Sequence, residues 1–569
     1  MSALLEPLIQ HITTIAERPE NAQADRVGSL LHAAADYMKT HGSARPELEA
    51  LIPELGSRLR ATSTTARSAR QRAGAFYTPS MLVEFMLDHT LEPWLGVHPD
   101  CEPTILDPAC GTGRFLLAAG HRLVARRVRH KGESETTAWK SVGPLLQGMD
   151  QDPIATGWLA GRLRSLAGNE PAAAAGIRTV DALGQEGIRI CKADLVLGNP
   201  PFGSPLKQAT DAESARRAAK ALGDRVGRYT DLAAIFLGHA RAAVKPRGYL
   251  AMVQPLSVLA SRDAAPVRTA MLETCTPTAA WASGQPVFDA TVFTCAMVFK
   301  GGSAPSQCRV RRFRDLPAAP CGSTLITRDD RSWAPLATAA MGFPDLPDFE
   351  TSGTLADIAH ATADFRDQYY GLKPAIVECG TTPAAGVVPI VTTGVLDPAR
   401  CHWGMRTIRL FRRRWSRPGI VLAALDQPMQ TWAASRLVPK LLLPTQTRTL
   451  EPVLDLDGRW LPSVPIITIT ASNEGDLPRI AAVLACPLIS LLAAHWCLGT
   501  ARSPRAIKLS ARDVLTIPTP RHEAAWEAGA RSFVLAQQAD DQTACDGHLQ
   551  RCEEHMMAAY GVEKKAIGP

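Results

Sequence analysis

The 569-residue sequence has no run of about 18 uncharged apolar residues, so no membrane-spanning helix is expected. Its 13 cysteines are dispersed, with no CxxC pair and no Cys/His spacing of the kind that holds zinc, so no metal is expected. An odd, scattered set suits reduced, buried thiols better than a disulfide framework, and the expected location is cytoplasmic. The first stretch, MSALLEPLIQHITTIAERPE, lacks the basic start and continuous apolar core of a signal peptide. Internal repeats and long low-complexity tracts are missing, which argues against a solenoid or a fibrous chain. Neither charge sign dominates: 62 basic and 55 acidic residues leave a formal net charge of +7. That balance admits a nucleic-acid partner without pointing to one. What is present, 46% hydrophobic and 21% charged residues, is the make-up of a soluble globular chain, and the length allows about two to four domains.

Residues 1–70 have helical periodicity, with Leu4, Leu5, Leu8, Ile9 and Ile12 three and four apart, ending in the basic linker SRLRATSTTARSARQRAG. The turn Phe76-Tyr77-Thr78-Pro79 leads into a helical pattern at 81–87, for which Thr78 or Ser80 is the expected cap.

Four apolar segments then end one after another in polar residues. Thr104-Ile105-Leu106 ends in Asp107-Pro108-Ala109-Cys110-Gly111-Thr112-Gly113, with two glycines that let backbone pass close to a ligand before a helix begins. This loop lacks both the third glycine of a dinucleotide fingerprint and the Gly-Lys-Ser/Thr of a phosphate loop, so the expected ligand carries no pyrophosphate. Leu145–Met149 ends in Asp150, where nucleotide folds hold ribose hydroxyls, and Asp152 is placed to cap the next helix. Ile177–Val180 ends in Asp181. Asp194–Gly198 stops at Asn199-Pro200-Pro201-Phe202, because consecutive prolines have no N–H to continue a ladder. Asn-Pro alone is a common turn signal. Four strands delivering polar groups to one sheet edge are much more specific, since open α/β sheets keep their ligands there.

The set DPACGTGRF, GMD, Asp181, NPPF and the preceding FYTP resembles the motifs of DNA adenine-N6 methyltransferases. It is most similar to the type I modification subunits and the gamma-class-like enzymes whose catalytic module precedes a recognition domain. The resemblance covers roughly residues 71–300. It implies an α/β fold: a Rossmann-like, S-adenosylmethionine-dependent methyltransferase with a mixed seven-stranded sheet, an N-terminal helical region and a C-terminal α+β recognition domain. It further implies that Phe76, Tyr77, Thr78 and the loop Asp107, Pro108, Ala109, Gly111 and Gly113 hold the methionine end of the cofactor. Asp150 would take the ribose hydroxyls and Asp181 the cofactor's adenine amine. Asn199, Pro200, Pro201 and Phe202 would hold a flipped adenine, and double-stranded DNA is the expected partner. The alternatives are the same chemistry on RNA or on protein glutamine, and a catalytically inactive DNA-binding subunit.

The expected domains are 1–70, a catalytic module at 71–304, a Pro/Ala/Gly-rich linker at 305–349, a target-recognition region at 350–525 and a C-terminal helix at 526–569. Pro320-Cys321 lies outside the module, and no role is expected for that thiol. Basic and aromatic residues interleave around Arg406, Arg412 and Arg413, and Gln446, Arg448 and Arg505 add donors on turns. Those residue types contact phosphates and read base edges, whereas each cluster alone is equally what a solvated surface carries. The first 70 residues are too short for a nuclease, which leaves room for a separate nuclease or specificity subunit.

Overall fold

The computed structural model describes residues 78–184, 187–203, 230–288, 292–364, 366–501, 503 and 505–563. The helical region and basic linker expected before residue 71, together with Phe76 and Tyr77, lie outside the described residues, as do Tyr229 and Arg502. The chain forms two compact units, one ending at Asp330 and the other starting at Arg331.

The first unit is built on a nine-stranded sheet. Its strands are β1 (Ile105–Asp107), β2 (Leu146–Asp150), β3 (Ile177–Thr179), β4 (Ala193–Gly198), β5 (Val244–Pro255), β6 (Cys275–Ala282), β7 (Thr294–Gly301), β8 (Gln307–Arg314) and β9 (Ala319–Thr327), in the spatial order β3-β2-β1-β4-β5-β7-β6-β8-β9. Strands β1 to β5 are mutually parallel, and β7 enters antiparallel between β5 and β6. The order reverses at β1, flanked by β2 and β4, and such a switch point opens a crevice at the carboxyl ends. Helices α1 (Ser80–Asp88), α2 (Leu91–Val97), α3 (Arg114–Lys131), α4 (Glu135–Val142), α5 (Pro153–Leu166), α6 (Leu232–Ala243) and α7 (Ala265–Thr274) complete the layers. Burial on both faces explains the unbroken apolar run of β4, where Leu195, Val196 and Leu197 are fully buried.

The mixed sheet is thus the expected one, enlarged from seven strands to nine. The segment 305–349 is not a linker over its first half. Its alternating Cys308, Val310 and Arg312 point inward from β8, which pairs with β6, and β9 pairs with β8. Cys321 sits half-buried in β9, in this added edge of the sheet.

The second unit mixes short sheets and helices. One four-stranded sheet runs Ala359–Ala363, Ile466–Ala471, Lys440–Pro444, Val453–Asp455, and the apolar helices Leu477–Ala485 and Pro487–Cys497 share its core. The expected single C-terminal helix is two, Glu523–Gln538 and Gln542–Ala559, with Asp541 accepting the Ala544 N–H at the start of the second. Trp526, Phe533 and Tyr560 enter the same core as Leu441 and Ile467, so residue 525 is not a domain boundary.

Lys440 and Asp455 form an ion pair that is almost wholly inaccessible. Asp455 also accepts the backbone N–H groups of Arg459 and Trp460, both at 2.9 Å, so it pins the 455–460 turn. Removing one member of such a pair leaves an uncompensated buried charge. Lys440→Met should therefore cost about 3–5 kcal/mol in a denaturant melt, with Lys440→Met/Asp455→Leu recovering most of the loss. A double variant no more stable than the single one would show that the turn, not the charge, carries the cost.

Candidate active site

The crevice at β1 and β4 is assembled from loop ends whose local geometry follows from their residues. After β1, Gly111 and Gly113 take left-handed backbone, φ +49° and +84°, which a side chain disfavours. A Cβ at Gly113 would also lie 2.2 Å from Leu159 Cδ1, whereas one at Gly111 would meet nothing within 4 Å, so the loop faces open space there. Gly113 is the N-cap of α3. The loop is tied to its neighbours by backbone: the Cys110 N–H donates to the Met149 carbonyl at 2.9 Å, and the Gly111 N–H to Asp150 Oδ2 at 2.8 Å. Asp150 Oδ1 accepts the Asp152 N–H at 2.9 Å, and Asp152 caps α5 by accepting from Ile154 N–H, as its position predicts.

Two acidic groups meet beneath this loop. Asp107 is 1% exposed and accepts the Ala109 N–H at 3.0 Å. Burial, with Asp150 nearby, raises its pKa to about 8. Burial also raises Asp150, against the hydrogen bonds from Asp152 and Gly111. Neither carboxyl has a basic side chain in contact among the described residues. Among the described residues the crevice therefore holds acid without a matching cation, in a loop that approaches open space through Gly111.

Strand β4 contributes the other wall. Gly198 lets Asp107 come close, since a Cβ at 198 would lie 2.9 Å from Asp107 Oδ1. One residue on, Asn199 Nδ2 donates to Thr78 Oγ1 at 3.1 Å, which directs its Oδ1 acceptor the other way. Thr78 therefore orients the Asn-Pro-Pro loop and caps nothing. The N-cap of α1 is Pro79, and no side chain closes that end. Phe202 is buried and meets Phe288 edge-to-face, ring centres 6.4 Å apart at 82°. Gly203 is held at both ends: its N–H donates to Asp231 Oδ2 at 3.1 Å, and its carbonyl accepts from the Leu232 N–H at 2.8 Å. Asp231 also caps α6 through the Ala233 N–H. Burial lifts its pKa to about 6, against those two N–H bonds.

Asp107, Pro108, Ala109, Gly111, Gly113, Asp150, Asn199, Pro200, Pro201, Phe202 and Thr78 thus converge on one edge. Asp181 follows β3 at the same edge, where its Oδ1 accepts the Leu183 N–H at 3.0 Å. Sequence reading passes over Phe288, Asp231 and Gln254. Among the described residues the fully buried Gln254 side-chain amide near the end of β5 has no hydrogen-bond partner, an omission worth about 1–3 kcal/mol per group. Its signal was a lone amide in the apolar run Ala251-Met252-Val253-Gln254-Pro255, and that of Asp231 an acid just before the apolar run of α6; Phe288 had none, because its contact with Phe202 comes from packing across the chain.

The residues expected on DNA lie in the second unit and divide by environment. Arg406 is committed to Asp397 through two hydrogen bonds, which hold that carboxyl below its usual range. Arg412 and Arg413 are exposed on a hairpin. Gln446 and Arg448 are also exposed, and the ladder Gln446–Thr447 against Ile507–Lys508 brings their turn beside the stretch carrying Arg505 and Lys508.

A mixed sheet whose parallel part switches at β1, a double-glycine loop after β1 and an acid at the end of β2 define a Rossmann-like methyltransferase fold. Residues 62–310 match the family model described as N-6 DNA Methylase. Among curated proteins, the adenine-specific methyltransferase PglX of Streptomyces coelicolor is 29% identical over 163 residues, 28% of this chain and 12% of PglX. The type I restriction enzyme StySJI methylase subunit of Salmonella typhimurium is 26% identical over 204 residues, 35% of each chain. The matched stretch thus spans a minor part of these relatives. Among solved structures, the type IIL restriction-modification enzyme MmeI in complex with DNA shares the fold at TM-score 0.54 and 12% identity, over 86% of this chain and 74% of that one. The ATP-dependent type ISP enzyme LlaBIII bound to DNA gives 0.50 and 10%, over 94% and 45%.

Proposed function

We propose that the chain is a site-specific DNA methyltransferase acting on N6 of adenine within a restriction-modification or related defence system. The observation that carries this reading is the Asn199-Pro200-Pro201-Phe202 loop, held at the carboxyl end of β4 by Thr78 and braced by Phe288. S-adenosylmethionine, when bound, supplies a methyl group on a cationic sulfonium. The residues present fit such a ligand: the buried Asp107 and half-buried Asp150 carboxyls, without a basic partner among the described residues, favour a cation, and Gly111 leaves the space. Asp107 and the glycine loop would hold the methionine end, Asp150 the ribose hydroxyls and Asp181 the adenine amine.

An adenine in a duplex hides its N6 amine, so the base has to leave the stack. The amine's lone pair is delocalised into the ring and attacks poorly. Asn199 Oδ1 and the Pro200 carbonyl would accept its two hydrogens, favour a tetrahedral nitrogen and stabilise the positive charge that develops on it. The Phe202 ring would stack on the base, a contact worth about 1–3 kcal/mol in comparable settings. Asn199 and Pro200 would hold the amine as N6 takes the methyl group of the bound donor and gives up one proton. Both partners are oriented by the protein, so positioning supplies much of the rate. Exposed residues of the second unit, including Arg412, Arg413, Gln446, Arg448 and Arg505, would contact the duplex.

The raised Asp107 makes cofactor binding pH-dependent. Between the ordinary aspartate value of 3.8 and about 8, the free folded chain holds a proton there that the unfolded chain has lost. Asp107 therefore makes the free protein less stable as pH rises through that window. A cationic ligand needs the carboxylate, so binding should release a proton below about pH 8 and tighten as pH rises towards it. Calorimetry in buffers of different ionisation enthalpy measures that proton; none released at pH 6 would remove Asp107 from the pocket.

The reading as a whole is tested by offering duplex DNA, RNA and a glutamine-bearing protein with methyl-labelled cofactor. Label is expected in DNA; label in RNA or protein instead would overturn the choice of substrate.

A further inference from the structure

In the second unit, strands Ile408–Leu410 and Arg413–Trp415 pair antiparallel, with Arg409 opposite Arg414 and Leu410 opposite Arg413. The two residues between them, Phe411 and Arg412, both have left-handed backbone, φ +50° and +67°. Tight hairpins of this type normally place Asn-Gly there, because side chains disfavour that conformation. Two arginines directly across a ladder repel each other, which also opposes the fold. Arg409, Arg412, Arg413 and Arg414 are all exposed, and none forms an ion pair among the described residues. Arg406, three residues upstream of this group, is by contrast neutralised by Asp397.

The hairpin is nevertheless firmly anchored. Ile408 and Leu410 are buried in a core with Ile390 and Ile420. The Phe411 ring packs on Tyr369 with centres 4.7 Å apart, and the Phe411 N–H donates to the Tyr369 hydroxyl at 3.2 Å. Trp415 Nε1 donates to the Leu410 carbonyl at 3.2 Å. The free protein thus holds in place a strained tip and four exposed guanidiniums without an ion-pair partner among the described residues, Arg409 and Arg414 directly opposed and Arg413 over the Trp415 ring at 5.6 Å. A polyanion relieves the repulsion, and a two-stranded ribbon is an element that the major groove of B-DNA, about 12 Å wide, admits.

We propose that residues 408–415 form a preformed DNA finger, with Arg409, Arg413 and Arg414 on phosphates and Arg412 carried by the strained tip into the groove. This rests on the DNA reading above. The sequence points to the basic-aromatic stretch Arg409 to Arg417; the fold adds the Arg409–Arg414 pairing and the strained tip.

The test uses the full chain and a fluorescent duplex, with binding followed by anisotropy over a salt series. Arg409→Ala/Arg414→Ala should make the slope of log K against log salt shallower by about 2, close to 0.9 per lost phosphate contact. Arg412→Gly should weaken binding about 5- to 150-fold, the range of one lost groove contact. It should also raise Tm by about 2–4 °C, because glycine suits the left-handed tip. Variants with the wild-type slope and affinity would overturn the finger. If the wild type methylates DNA in the same preparation, that result leaves the enzyme reading standing. A wild type that neither binds nor methylates the duplex, but binds RNA, would overturn both.

Discussion

Asn199→Ala is expected to bind S-adenosylmethionine as the wild type does and to lose methyl transfer by at least about 10²–10³-fold. Loss of one preorganised group that stabilises developing charge has an effect of that size in other enzymes. The separation of binding from chemistry follows from where Asn199 sits. It lies one residue beyond β4, joined to Thr78, whereas the acidic groups end β1 and β2 and the glycines follow β1. Calorimetry on the variant gives the first quantity and labelled-methyl transfer the second. Normal turnover in Asn199→Ala would remove the loop from the reaction.

Asp150→Ala should do the reverse, weakening the cofactor first. A hydrogen bond to a charged group contributes about 1.5–3 kcal/mol, so removing the acceptor should raise Kd roughly 10- to 150-fold. The same carboxyl receives Gly111 N–H and Asp152 N–H, so Ala at 150 also frees the glycine loop from β2. Asp150→Asn separates the two effects, because its amide oxygen still accepts from one of those N–H groups. If the loop's position matters and the charge does not, Asn should restore most of the affinity. With saturating cofactor, transfer by both variants should recover substantially; a rate that stays low would place Asp150 in the chemistry.

Much of the first unit was legible because its signals are local. An apolar run that ends in Asp107 or in Asn199-Pro200-Pro201 fixes both the strand and its exit, and Gly111 and Gly113 mark a turn that only small residues make without strain. The added strands β8 and β9 were not legible. Pro305, Pro317 and Pro320 read as linker punctuation, while the pairing that makes them a sheet edge is with β6, about 30 residues earlier in the chain. Thr78 misled in the same way: its place before Pro79 suits a cap, but its hydroxyl is taken by a residue 121 positions away. In the second unit the individual arginines were visible, but not their difference. Arg406 is bound by Asp397 and Arg412 is not, and only the hairpin fold decides which is which.

The most direct measurement is the identity of the methylated nucleoside in DNA from cells expressing the wild type or Asn199→Ala. The expected result is N6-methyldeoxyadenosine at a defined sequence with the wild type, and none above background with the variant. A mark on cytosine, or adenine methylation undiminished by Asn199→Ala, would contradict the assignment of this loop as the holder of an adenine amine.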